Sequence, residues 1–334
     1  MDRSELLIQP SKPTLSSVWF PDIAAQNPTT QNPTEQNPTA GVAKELVHQV
    51  TAAEVVPTGW ARTGEDRFTL TARLPHQYPF FAPAPGGGQL PLLLVEGMRQ
   101  CVLLIAHVGY EVPLGQQFVL RELDFGCDPA NLAAAVGTGQ LTVEMVCSRI
   151  VRRAGRLTAI RSEMTVWHGD RFVGRSRGDI TFISPAVYRR MRGERIGAAR
   201  PVETELSSEL FAGPVGLAPL GPRAWQLKMD TAHPALARRQ DDHIPGMLLL
   251  AAAQQAAQQV AQLAAAPGVR PALPQGAFVP VAGDIAFDRY AEFDSPVEIE
   301  AGEPVRDAAG GSTVRITGRQ DGAEVFRSTL VSAP

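Results

Sequence analysis

Two long apolar runs dominate the pattern of hydrophobic and polar positions. From Pro91 to Val108, the residues Leu92, Leu93, Leu94, Val95, Met98, Val102, Leu103, Leu104 and Ile105 cover most of a helical circumference. A helix that is apolar nearly all round is buried on nearly all sides. Pro91 suits its first turn, and Gly109 is the expected stop. The second run is predicted as a helix from Pro245 to Ala266, closed by the breaker pair Pro267-Gly268. Its Ala-Gln stretch from Ala251 reads as a good buried helix rather than a low-complexity tract. Around these runs, shorter segments alternate with a period of two, as half-buried strands do. The predicted strands are 68–74, 118–125, 141–151, 157–167 and 171–183, then 225–229, 277–287, 296–301, 312–318 and 323–332.

The order of elements repeats, and so do fragments of sequence. R-F-T-L-T-A-R-L-P-H, ending at His76, aligns with A-W-Q-L-K-M-D-T-A-H, ending at His233, 157 positions later. The two apolar runs place Glu96 opposite Ala251, 155 positions apart. Val173-Gly174-Arg175-Ser176 matches Val325-Phe326-Arg327-Ser328 at an offset of 152. Offsets that drift this little while keeping their order indicate homologous modules in tandem, here 42–190 and 191–334. One buried helix wrapped by a long antiparallel sheet is a hotdog. The expected fold is therefore α+β, a double hotdog with its two sheets joined edge to edge. Residues 1–41 differ in kind: three Gln-Asn-Pro-Thr tetrads recur with a period of five, which predicts a disordered, polyproline-leaning tail.

Composition narrows the function. The 334 residues are 44% hydrophobic and 19% charged, with a net charge of −3, which gives no footprint for a nucleic-acid backbone. Three widely spaced cysteines (Cys101, Cys127, Cys147) form neither a disulfide framework nor a zinc motif and suit a reducing compartment. No signal sequence opens the chain, and its apolar runs are interrupted by Glu96, Arg99 and His107 or diluted by glutamines. A cytoplasmic protein with no membrane or nucleic-acid partner is expected. Metal spacings, phosphate-binding loops and nucleotide fingerprints are missing from the sequence, so no metal or cofactor is expected.

Glu96 stands out as a carboxylate in the second turn of an otherwise apolar helix. Unpartnered burial would cost several kcal/mol, and a glutamate near a helix N-terminus suits general acid or base work. Arg99, three residues on, shares its face and is placed to pair with it or to hold an anion. A structural Glu–Arg pair is the competing reading. Replacing Glu96 by alanine is expected to abolish turnover and to leave the fold intact or more stable. Asp242-His243-Ile244-Pro245-Gly246 leads straight into the second helix, whose free N–H groups can bind a carbonyl or phosphate oxygen. His243 either orients a substrate or caps that helix beside Asp242. His76 and His233, equivalent under the repeat, are candidates for substrate contact or for a shared structural task. His48, His107 and His168 have no evident companions and read as surface or core histidines.

These motifs carry a resemblance. L-L-V-E-G-M-R-Q-C-V-L-L-I-A-H-V-G-Y-E-V-P in the first module and D-H-I-P-G-M-L-L-L in the second resemble the A-factor biosynthesis family, over roughly residues 42–334. Its members are double-hotdog enzymes of γ-butyrolactone and butenolide hormone synthesis. The resemblance implies an acyltransferase that moves a β-ketoacyl chain from acyl carrier protein to the hydroxyl of dihydroxyacetone phosphate. It matches Glu96, Arg99, Asp242 and His243 to family motifs. It also matches Phe118-Val119-Leu120-Arg121, a strand after the helix, and Arg289-Tyr290-Ala291-Glu292, taken as its counterpart. One departure matters: the family's second helix usually reads L-L-L-E-A-A-R-Q, and here Ala251 and Gln254 replace the acid and the base. Either the first-module carboxylate alone is catalytic, or the reaction has changed. A hotdog dehydratase or thioesterase acting on a carrier-bound chain, and a non-catalytic acyl- or partner-binding protein, are the alternatives.

Overall fold

The computed structural model describes residues 41–78, 81, 89–196, 213–237, 241–264, 278–308 and 310–333. The predicted tail and the end of the second predicted helix lie outside them. The first half comprises β1 (Pro57–Gly64), β2 (Arg67–Ala72), α1 (Leu90–Tyr110), β3 (Gln117–Cys127), α2 (Pro129–Ala135), β4 (Leu141–Arg153), β5 (Arg156–His168), β6 (Arg171–Ile183) and α3 (Pro185–Arg192). The second comprises β7 (Val215–Gly221), β8 (Ala224–Met229), α4 (Pro234–Ala237), α5 (Gly246–Ala264), β9 (Pro280–Phe287), β10 (Val297–Ala301), β11 (Val305–Arg306), β12 (Ser312–Gln320) and β13 (Ala323–Ser332).

The strands form one sheet in the order β1-β2-β4-β5-β6-β3-β9-β13-β12-β10-β8-β7, with β11 attached to β12. Read inward from either end, the two halves have the same connectivity. They meet where β3 pairs antiparallel with β9, Leu123 opposite Ile285 and Phe125 opposite Gly283. That pairing uses the edge each half would otherwise expose. α1 packs on β1, β2, β5 and β6, α5 packs on β7, β9, β10, β12 and β13, and the two helices touch. This is the double hotdog the sequence pattern predicts.

Burial explains both helices. α1 is buried from Pro91 to His107 except at Arg99, and α5 is buried from Met247 to Ala257. The α1 sequence is long and apolar enough to cross a membrane, yet 83% of its most apolar window is buried inside the fold. Gly109 does not end α1. A Cβ there would sit 2.9 Å from the ring of Phe68, so the glycine is required by close packing and the helix runs on to Tyr110. Glu111, in the left-handed region at φ 59°, ends it instead. β1 and β7 carry no clean alternation because they are edge strands, wet on much of both faces.

The cysteines are free thiols. Burial pushes Cys101 and Cys127 up to about 12 and Cys147 to about 11, so none forms a thiolate near neutrality. All three are expected to resist a thiol reagent such as DTNB at pH 8 until the protein is unfolded in guanidinium. Native-state labelling at the rate of a free thiol would contradict this.

Candidate active site

Glu96 lies 3% exposed in the second turn of α1, and its neighbours supply the donors that burial demands. Arg99 closes a two-pronged pair, Nε to Oε2 at 2.7 Å and Nη2 to Oε1 at 2.8 Å. Gln49 Nε2 (2.8 Å), Tyr78 Oη (3.1 Å) and Gln100 Nε2 (3.1 Å) also donate to Oε1. Four donors therefore converge on Oε1, and Oε2 accepts from Arg99 Nε. Gln100 is itself fixed: it accepts from the Val56 amide at 2.9 Å and donates to the Glu54 carbonyl at 2.9 Å. Burial alone would lower the Arg99 guanidinium; the Glu96 carboxylate, with smaller help from Tyr78 and Asp241, raises it above its ordinary value. Arg99 stays charged.

Asp241 belongs to the loop before α5, so the second half reaches the Glu96 cluster. The rest of that loop is held by a second network. Asp242 accepts from Tyr188 Oη at 2.6 Å and from Arg192 Nε at 3.0 Å, and pairs with His243 Nδ1 at 2.7 Å. Arg192, buried at the end of α3, also grips Glu292 through Nη1 (2.6 Å) and Nη2 (2.8 Å) and stacks 4.6 Å from the Tyr290 ring. His243 packs against the same ring at 4.6 Å. Burial alone would raise the Asp242 carboxyl, but hydrogen bonds from His243, Tyr188 and Arg192 hold it well below the usual range. The Tyr290 hydroxyl is buried without a hydrogen-bond partner among the described residues.

A cavity of about 80 Å³ joins the two halves' contributions. Arg99, Val102 and Leu103 of α1 form one wall, strands β3, β5 and β6 the other, and Met247 from the first turn of α5 completes it. Gly246 opens α5 beside this wall. Helix N-termini present unsatisfied N–H groups and positive partial charge.

The other predicted residues are placed as follows. His76 is exposed and its ring occupies the space beside Gly137, where a Cβ would come 1.8 Å from Nε2. His233 starts α4: its Nδ1 accepts from the Ala235 amide at 3.2 Å, and its carbonyl accepts from Leu236 at 2.8 Å. The two equivalent histidines thus do different local work. Arg121 is exposed on β3, close enough to oppose the rise that burial imposes on the Tyr290 phenol. Arg289-Tyr290-Ala291-Glu292 is not a strand and not the counterpart of residues 118–121. It follows β9, whose topological equivalent is β3. His48 and His107 are not solitary either: their Nε2 atoms lie 3.0 Å apart, and burial lowers His107 although its bond to the Val112 carbonyl pulls the other way. Tyr188 and Arg192, central to the second network, lie in a short helix that no apolar periodicity announces; the Ser184-Pro185 cap was its one local signal. Among the described residues no group of three or more metal-ligating side chains is gathered.

In the other half the equivalent positions are silent. Ala251 and Gln254 are both buried in α5, while Gln255, equivalent to Gln100, donates to the Val215 carbonyl at 3.1 Å. The structural glutamine is kept and the acid–base pair is not.

Residues 30–184 and 218–332 match the A-factor biosynthesis hotdog domain. The chain belongs to that family. A 2-oxo-3-(phosphooxy)propyl 3-oxoalkanoate synthase of Streptomyces coelicolor is 39% identical over 296 residues, 86% of this chain and 90% of its own length. The protein of the same name from Streptomyces virginiae is 37% identical over 293 residues, 85% and 95% of the two chains. Among solved structures, the 12:0-ACP thioesterase of Umbellularia californica aligns with a TM-score of 0.44 at 12% identity, over 81% of this chain and 98% of its own.

Two outcomes follow for the family member described here. The expectation that Glu96→Ala is neutral or stabilising does not survive the five bonds above. Removing the carboxylate takes an acceptor from Gln49, Tyr78 and Gln100 and breaks the ion pair of Arg99, and should cost about 3 kcal/mol in urea unfolding at pH 7; Glu96→Gln, which keeps an acceptor, should cost less. The second concerns acid. Asp242 has a folded value below its unfolded one, so its contribution is fully present above about pH 4 and is lost as pH falls through the folded value. Asp242→Asn should be less stable than wild type at pH 7 yet lose less stability between pH 6 and pH 2.

Proposed function

We propose that the protein is an acyltransferase that moves a 3-oxoacyl chain from an acyl carrier protein thioester to the hydroxyl of dihydroxyacetone phosphate. The observation that carries this is a cavity where Arg99 of α1, ion-paired to the buried Glu96, meets the first turn of α5. The relatives' names describe a product with the matching phosphorylated three-carbon ester. The reading keeps the cytoplasmic setting and the two modules 42–190 and 191–334, and it needs no metal or cofactor.

In the proposed step, Glu96 Oε2 takes the proton of the acceptor hydroxyl as its oxygen attacks the thioester carbonyl. The new C–O bond forms, the C–S bond breaks, and the proton passes to the departing thiol. The N–H groups at Gly246 face the developing oxyanion, where preorganised donors are worth most. Arg99, with Arg121 and the Asp242-His243 loop, receives the acceptor's phosphate; a guanidinium matches phosphate geometry in a way lysine does not. His76 and His233 are kept as outer substrate contacts.

Purified protein with a 3-oxoacyl carrier protein and dihydroxyacetone phosphate should yield the phosphorylated ester, followed by mass spectrometry. Glu96→Gln should lower kcat by a factor of about 10² to 10⁴, and Arg99→Lys should raise KM for the phosphorylated acceptor. Free acid or enoyl product instead would identify a thioesterase or dehydratase, and no product would favour a binding protein.

A further inference from the structure

The cavity beside Arg99 is apolar except at two places. Ser162 on β5 and Ser176 on β6 both line it. They are 1% and 5% exposed, and neither hydroxyl has a hydrogen-bond partner among the described residues. A buried hydroxyl left unpaired loses its hydration without compensation, so two at one cavity call for an explanation. The register places them together. Ser162 is opposite Gly178 and Ser176 is opposite Met164, so the serines are diagonal neighbours on one face of the sheet.

The other half shows what this layer looks like when it is closed. There Ile316 is opposite Ser328 and Val314 is opposite Leu330. Matching the registers, Val314 takes the place of Ser162, Leu330 that of Gly178, and Ser328 that of Ser176. Val314 and Leu330 are both fully buried. Ser328 spends its hydroxyl on the Asp284 carbonyl at 2.6 Å. A Cβ at Gly178 would meet nothing nearer than 3.4 Å, ordinary contact, so a side chain there is not sterically barred. The first half therefore differs from its twin by two residues that make room and by one hydroxyl that is no longer committed.

We infer that Ser162 and Ser176 donate to an acceptor oxygen on the bound acyl chain, the 3-oxo group, and so select 3-oxoacyl over saturated chains. This rests on the acyl-transfer reading for the identity of the chain. A chain entering past Arg99 meets no other polar side chain on the cavity wall. Its oxo oxygen would satisfy hydroxyls that a methylene leaves bare, and sites built to hydrogen-bond a polar group discriminate against analogues that lack it.

Binding separates this from the reaction itself. The probes are the pantetheine amides of 3-oxodecanoate and decanoate, titrated calorimetrically into wild type and into Ser162→Ala/Ser176→Ala. Wild type should bind the 3-oxo amide about tenfold or more tightly, as a buried net hydrogen bond allows. The double variant should bring that ratio close to one, mainly by weakening the 3-oxo amide. Equal affinities in wild type, or a ratio unchanged in the variant, would overturn the inference and assign the hydroxyls to trapped water. Binding of neither amide would overturn it too, by removing the chain from the cavity. Ser162→Val/Gly178→Leu, copying the closed half, should abolish binding of both; retained binding would place the chain elsewhere. Loss of the transfer reading would appear separately, as wild type that binds the 3-oxo amide selectively and yet makes no phosphorylated ester.

Discussion

A helix without a polar face has to be wrapped, and most of this architecture follows from that demand. α1 hides seventeen of its residues, far more than packing against one flat surface allows, so sheet, loops and neighbouring helix must all close on it. Wrapping also makes any polar group on that helix expensive unless the chain brings partners to it. Glu96 and Gln100 are such groups. The donors that answer them come from segments far apart in sequence, Gln49 before β1 and Tyr78 after β2. The polar interruption of an apolar helix thus orders the loops around it, and those loops form the site.

The two halves share connectivity but have divided the labour. Positions that serve the fold are preserved in kind: Gln100 and Gln255 both tie their helix to the neighbouring segment. The carboxylate–arginine pair is not preserved. Glu96 faces Ala251 across the repeat, and Arg99 faces Gln254. The same split appears in the sheet, where Ser162 and Gly178 stand against Val314 and Leu330. Replacing polar or absent side chains by well-packed apolar ones is stabilising in general. At this layer one half is filled by Val314 and Leu330, and the other carries the cavity and its unpaired hydroxyls. Stability resides where function does not need room.

Much of the fold was legible because its signals are local. Hydrophobic periodicity gave both helices and ten strands, and 171–183 and 323–332 match β6 and β13 end to end. The edge strands β1 and β7 were missed because solvent on both faces erases the alternation on which reading depends. Gly109 misled as a helix stop because its role, making room for Phe68, is tertiary. For the site, the pattern located Glu96, Arg99, Asp242 and His243 but not their partners. Tyr188 and Arg192 lie fifty or more positions from the Asp242 they hold, in a helix too short and too polar to advertise itself. The His48–His107 contact bridges fifty-nine positions and has no local pattern at all. Pair identity across such separations is decided by the fold.

The candidate site is assembled from two hydrogen-bonded networks. The Glu96 cluster draws its hydrogen bonds from the first half, whereas Arg192 gathers Asp242 and Glu292, both from the second. Between them stand Arg99, Asp241 and the first turn of α5; the Asp241 charge acts on Arg99, and Met247 shares a cavity wall with it. Their spacing is therefore set by the backbone, through the β3–β9 pairing and the contact between α1 and α5. A gap fixed in this way places polar groups on both rims. Groups held in place by the backbone are preorganised, and preorganised donors and charges are worth most where charge develops in a reaction.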